Sequence, residues 1–142
     1  MIRLAPAALA LGAALFALAP APTEAATNID TRLAILRGLD KITGRITTIT
    51  AVVGDTVRFG SLAIIVRACR TRPPEETPES AAFLDITELK PNQPPADVFR
   101  GWMFASSPAV SAMDHPVYDI WVLECREPLK PRDEPANPIE TG

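Results

Sequence analysis

Ser106 or Ser107, His115 and Asp119 are the residue types of a hydrolytic triad. In such a triad the histidine takes the serine proton and the carboxylate holds the imidazole. No G-x-S-x-G elbow surrounds either serine, so the bland alternative is that Asp114 and His115 hydrogen-bond a turn. Asp114, His115 and Asp119 also read as a polar corner that could face a metal. One histidine and no spare thiol make a poor transition-metal set, and the sequence predicts neither metal nor cofactor. Trp102 and Trp121, with Phe104 and Tyr118, could stack on a sugar or a peptide. Aromatics at this density more often fill the core of a small β domain, leaving one tryptophan to reach the surface. No catalytic residue is assigned, and the reading leans away from an enzyme.

Binding chemistry is better represented. Arg70, Arg72, Pro73, Pro74, Glu75, Glu76 and Glu79 cluster in one short segment. Its prolines exclude ladder hydrogen bonding and its glutamates keep it in water. A loop already stiffened by proline loses less entropy when a partner holds it, which makes this segment the preferred contact. Beside it stands Cys69, one of only two cysteines. Cys69 and Cys125 each end an apolar run, and two cysteines in an exported chain are expected to pair. The bridge would close a loop of about 55 residues, worth about 4 kcal/mol in the chain-entropy account.

The elements that position these residues read as strands. Leu33–Leu39 is taken as a strand, and Ile42–Val53 as a long β-branched strand with a bulge at Gly44. Gly54-Asp55 and Gly60-Ser61 are corners on either side of a short strand, Thr56–Phe59. Leu62–Cys69 follows, and these three strands suggest an antiparallel meander. Ala81–Leu89 supplies another strand, with Phe83 and Leu84 as core contributors. Phe99–Cys125 organises the rest, with five of the eight aromatic residues and the only histidine. It reads as strand, helical turn and strand, the turn opening on Ser107-Pro108 and running over Pro108–Met113.

Residues 1–25 carry one arginine, an apolar run and small residues before Ala26, the pattern of a cleaved signal peptide. An uncleaved anchor is the alternative, for a run slightly short for a span. The expected organisation is a leader over 1–25, one β domain over 26–126 and a flexible Pro-rich tail over 127–142. A net charge of -3 is too mild and mixed to predict nucleic acid as a partner. No later segment is expected to cross a membrane.

Four stretches together resemble a known family: Arg58-Phe59-Gly60-Ser61-Leu62; Cys69 with Arg72–Glu79; Gly101–Pro108; and His115–Trp121. They are similar to an alphaproteobacterial exported family, domain of unknown function 2155, from about Leu36 to Cys125. The resemblance implies compartment and domain extent and no particular activity. The fold expected is all-β, a small antiparallel β-sandwich or partly open barrel of about six to seven strands. Within it the disulfide would join two inner strands. The function expected is a non-enzymatic, protein-binding module of the periplasm. The alternatives are a hydrolase or cell-wall-modifying enzyme using His115, and a glycan binder using exposed tryptophans. The sequence is silent on oligomeric state.

Overall fold

Alternation of large aliphatic residues with polar or aromatic ones, punctuated by glycine turns, folds into eight antiparallel strands in the computed structural model, which describes residues 27–129. They are β1 (Ile29–Asp30), β2 (Leu33–Asp40), β3 (Arg45–Val52), β4 (Thr56–Phe59), β5 (Leu62–Thr71), β6 (Ser80–Glu88), β7 (Ala96–Phe104) and β8 (Tyr118–Arg126). The leader and residues 130–142 of the Pro-rich tail lie outside the described residues. Within them, no helix is long and apolar enough to cross a membrane.

Two sheets face one another as a sandwich rather than a closed barrel. The five-stranded sheet runs β1-β5-β6-β7, with β4 sharing the β1 side of β5; the three-stranded sheet runs β3-β2-β8. The expected meander is therefore corrected. β4 and β5 pair, but β3 belongs to the opposite sheet, and the Gly54 turn carries the chain across. Gly44 is also not a bulge. It has a positive φ of 70° and lies in the β2–β3 hairpin turn, a conformation that glycine adopts without steric cost. Bulges occur instead at Leu123 opposite Ile35/Leu36, at Arg67 between Val66 and Ala68, and at Val98 opposite Ile86/Thr87.

The core between the sheets is aliphatic. Leu36, Leu62, Ile64, Val66, Leu84, Ile86, Ile120 and Val122 are its largest buried hydrocarbon side chains, each contributing about 1.5–3 kcal/mol on burial. The expectation of an aromatic core is overturned by strand parity. Met103 points inward on β7, so its neighbours Trp102 and Phe104 point outward; Ile120 and Val122 point inward on β8, so Trp121 points outward. Phe83 likewise faces out beside buried Leu84. Only Phe59, Phe99 and Tyr118 pack against the core from its rim.

Cys69 and Cys125 form a disulfide with a Cα–Cα distance of 5.5 Å. It joins the two sheets. Cys69 is on inner strand β5, but Cys125 is on β8, which is an edge strand of its sheet, so the bridge does not link two inner strands. The expected helical turn is a single 3-10 turn, Pro108–Ser111, with Pro108 at its start and no side-chain cap from Ser107.

Candidate functional site

The polar corner is a closed structural cluster. His115 is 5% exposed. Its Nδ1 accepts from the backbone N–H groups of Val117 at 3.1 Å and Tyr118 at 3.0 Å. Two donors on Nδ1 place the ring proton on Nε2, which donates to Glu88 Oε1 at 3.1 Å. Glu88 also receives Ser61 Oγ and pairs with Lys90, while Lys41 Nζ donates to the His115 carbonyl at 2.7 Å. Burial pushes the Glu88 carboxyl up. The donors His115, Lys90 and Ser61 outweigh it and hold the group below its ordinary value of 4.5.

Tyr118 stacks on His115 and meets Phe59 edge-on, with ring centroids 5.4 Å apart in each pair. A side chain at Gly60, where φ is +56°, would run into the Tyr118 ring, so this glycine is required both by its backbone and by its neighbour.

The other members of the imagined triad and metal set are not gathered there. Asp114 is exposed, and Asp119 lies on the outward-facing parity of β8 beside Trp121. Ser106 is bound to Glu79 instead. Among the described residues no three His, Cys, Asp or Glu side chains converge on a metal-sized space.

A second arrangement is open. On the outer face of the five-stranded sheet, Asn28, Arg70, Arg72, Glu79, Ala81, Trp102 and Phe104 line a half-open cleft of about 310 Å3. Strand register builds it: Ala81 lies opposite both Arg70 and Phe104, and Phe83 lies opposite Trp102. The Arg70 guanidinium sits 5.3 Å from the Trp102 ring centre and pairs with Asp30 at 2.7 Å. Phe83 braces Trp102 from the side with centroids 5.6 Å apart. Trp102 is thereby fixed while its outer edge stays in contact with solvent.

The proline segment forms one wall. Its two ends are zipped by Arg72 N–H to the Glu79 carbonyl at 3.1 Å and Thr71 Oγ1 to the same carbonyl at 3.2 Å. The Glu79 carboxylate accepts from Ser80 N, Ser106 N and Ser106 Oγ, fastening the loop to the corner after β7. Burial pushes this carboxyl up too. The serine donors and the nearby Arg72 charge outweigh that and hold it below 4.5. Pro74, Glu75 and Glu76 are exposed beyond the cleft, and Pro73 is half-buried at its margin.

Residues 34–125 match the family described as an uncharacterised protein conserved in bacteria, domain of unknown function 2155. The chain belongs to this family. It is also 31% identical over 87 residues to the uncharacterised protein RP359 of Rickettsia prowazekii (strain Madrid E). That match covers 61% of this chain and 56% of the relative. No solved structure matches. The family match runs from β2 to Cys125 and so takes in every described strand but β1, the disulfide, and the cleft residues other than Asn28.

Sequence reasoning treated the proline segment and the tryptophans as separate candidates, and the fold joins Arg70, Arg72 and Glu79 of the first to Trp102 of the second. Trp121 is on the other sheet, in a shallow recess with Pro108, Ala109 and Asp119, so the two tryptophans cannot make one platform. The sequence already groups Phe104 with the tryptophans as a stacking residue, and its i, i+2 spacing from Trp102 around one inward residue puts both on the cleft face. Asn28 was missed. Nothing local marked Asn28 or Glu88, whose roles come from long-range pairing.

Proposed function

We propose that the protein is an exported, non-enzymatic module of the bacterial cell envelope that holds a segment of a protein partner in the Trp102–Phe104 cleft. The observation that carries this reading is the cleft itself, where a braced aromatic floor meets a pinned loop presenting Arg72 and Glu79. Aromatic and arginine side chains held in place beforehand lose little freedom on binding and are enriched at protein interfaces. Opposite charges at one wall favour a polar, extended segment over a purely apolar one. The leader pattern and the disulfide support export, since disulfides persist in oxidising compartments.

The hydrolytic alternative requires His115 as a base, and both of its ring nitrogens are already engaged. The glycan alternative with both tryptophans loses its platform because they face opposite ways.

The test is affinity capture from envelope extracts of the native organism, with the wild-type chain beside Trp102→Ala and Arg72→Glu. One partner recovered by the wild type and lost from both folded variants is expected. Recovery of the same proteins by all three chains, or of none, would remove this reading.

A further inference from the structure

Four strand edges bound the two described sheets, and three of them carry charges of both signs. β1 and β4, which share one edge, contain Asp30 and Arg58; β7 contains Asp97 and Arg100; β8 contains Asp119, Glu124 and Arg126. Charged side chains are a common defence of an open edge against pairing with another chain. The fourth edge, β3, has none after Arg45. From Ile46 to Val53 it reads ITTITAVV, β-branched except for Ala51, without charge, proline or glycine. No described strand pairs with its outer edge.

The register shows what that edge presents. Val53 N–H donates to the Arg32 carbonyl at 2.9 Å, which makes Ala51, Ile49 and Thr47 the residues that exchange hydrogen bonds with β2. The intervening residues Ile46, Thr48 and Thr50 therefore aim their backbone N–H and C=O groups outward. Three of the exposed large apolar side chains are spread along this strand and the hairpin turn before it: Ile42 at 76%, Ile46 at 56% and Val52 at 42%.

We propose that β3 is a self-association edge, on which a second copy of this chain adds its own β3 antiparallel across a two-fold axis. Centred on Thr48, the pairing sets Ile46 against Thr50 of the copy and Thr48 against Thr48, all with outward-facing backbone groups, so each pair exchanges both hydrogen bonds. Charge favours the same orientation. Exposed Arg45 stands at one end of β3 and exposed Asp55 just beyond the other, and antiparallel pairing brings unlike ends together. Parallel pairing would set like against like. Asp40, beside Arg45, already accepts from the N–H groups of Ile42 and Thr43 and is turned into its own hairpin. The product is a continuous six-stranded sheet with two clefts in one assembly.

Sedimentation of the oxidised wild-type chain over a concentration series tests this. A mass of two chains is expected, falling to one on dilution. Thr48→Pro removes one outward N–H donor without touching the β2 ladder, and Ile46→Lys places a charge on the edge. Each is expected to weaken dimerisation by about tenfold or more, the equivalent of about 1.4 kcal/mol. Val110→Lys, at a 74% exposed site on the 3-10 turn, should leave it unchanged. Thr48→Cys should cross-link to a dimer with a short bismaleimide, which reports the pairing even if Thr48→Pro misfolds. A single mass at every concentration would overturn the proposal. So would a dimer that survives both β3 variants and dissociates in Trp102→Ala, or a β3 edge filled only by a segment of a different protein.

Discussion

The His115 corner and the Trp102 cleft use similar side chains to opposite ends. Each contains an aromatic ring, a glutamate with serine donors and a nearby basic group. At the corner each nitrogen of His115 has a partner inside the fold, and Glu88 is saturated by three neighbours. At the cleft the glutamate is pinned in the same way, but Trp102 and Arg72 stand at the surface with capacity left over. Residue type alone does not separate a structural cluster from a binding surface. What separates them is where the hydrogen bonds terminate, and that depends on long-range register.

The comparison can be strained most severely at the bridge that joins the two sheets. Replacing Cys69 and Cys125 together by alanine should cost about 4 kcal/mol in urea unfolding. Next, His115→Ala should cost about 2–4 kcal/mol, because it strands two buried N–H donors and removes a partner of Glu88. Partner capture by the cleft should survive wherever that variant is folded. An equal loss of capture and stability would show that the two regions are not independent.

Acid should act on both regions at once. Folded-state values below 4.5 mean that Glu79 and Glu88 contribute in full above their unfolded values and lose that contribution as pH falls through the folded ones. Stability measured from pH 6 downward should therefore decline on the acid side of about 4.5, and Glu88→Gln should flatten the decline. The smallest effect on stability is expected from Trp102→Ala, about 1 kcal/mol, together with complete loss of the captured partner. If Trp102→Ala were as destabilising as His115→Ala, the cleft would be a second structural cluster.

Much of this molecule was legible where the signals were local. Glycine corners and β-branched or apolar runs marked β4, β5 and β6 to within two residues at either end. Ser107-Pro108 marked the 3-10 turn, and export logic paired the cysteines. Apart from Gly44 and the Ser107 cap, the failures were non-local. Turn chemistry at Gly54-Asp55 indicates a reversal but not whether the next strand stays in the same sheet, and here it does not. The β-branched content of Ile42–Val53 suggested one bulged strand, yet Ile42 sits in a turn, and Ile46 and Ile49 face opposite sides. The tryptophans were assigned by hydrophobicity, and parity with Met103 and Ile120 overruled it.

The position of the disulfide has a consequence for biogenesis. β2 lies near the start of the described chain, yet one of its two neighbours is β8, the last strand described, which also carries Cys125. The smaller sheet cannot close, nor the thiols meet in their native setting, until β8 has emerged. Once it has, two cysteines allow one intramolecular pairing. The Cys69–Cys125 bond therefore forms late, after β8 has taken its place beside β2, and among the described residues no free thiol competes for it.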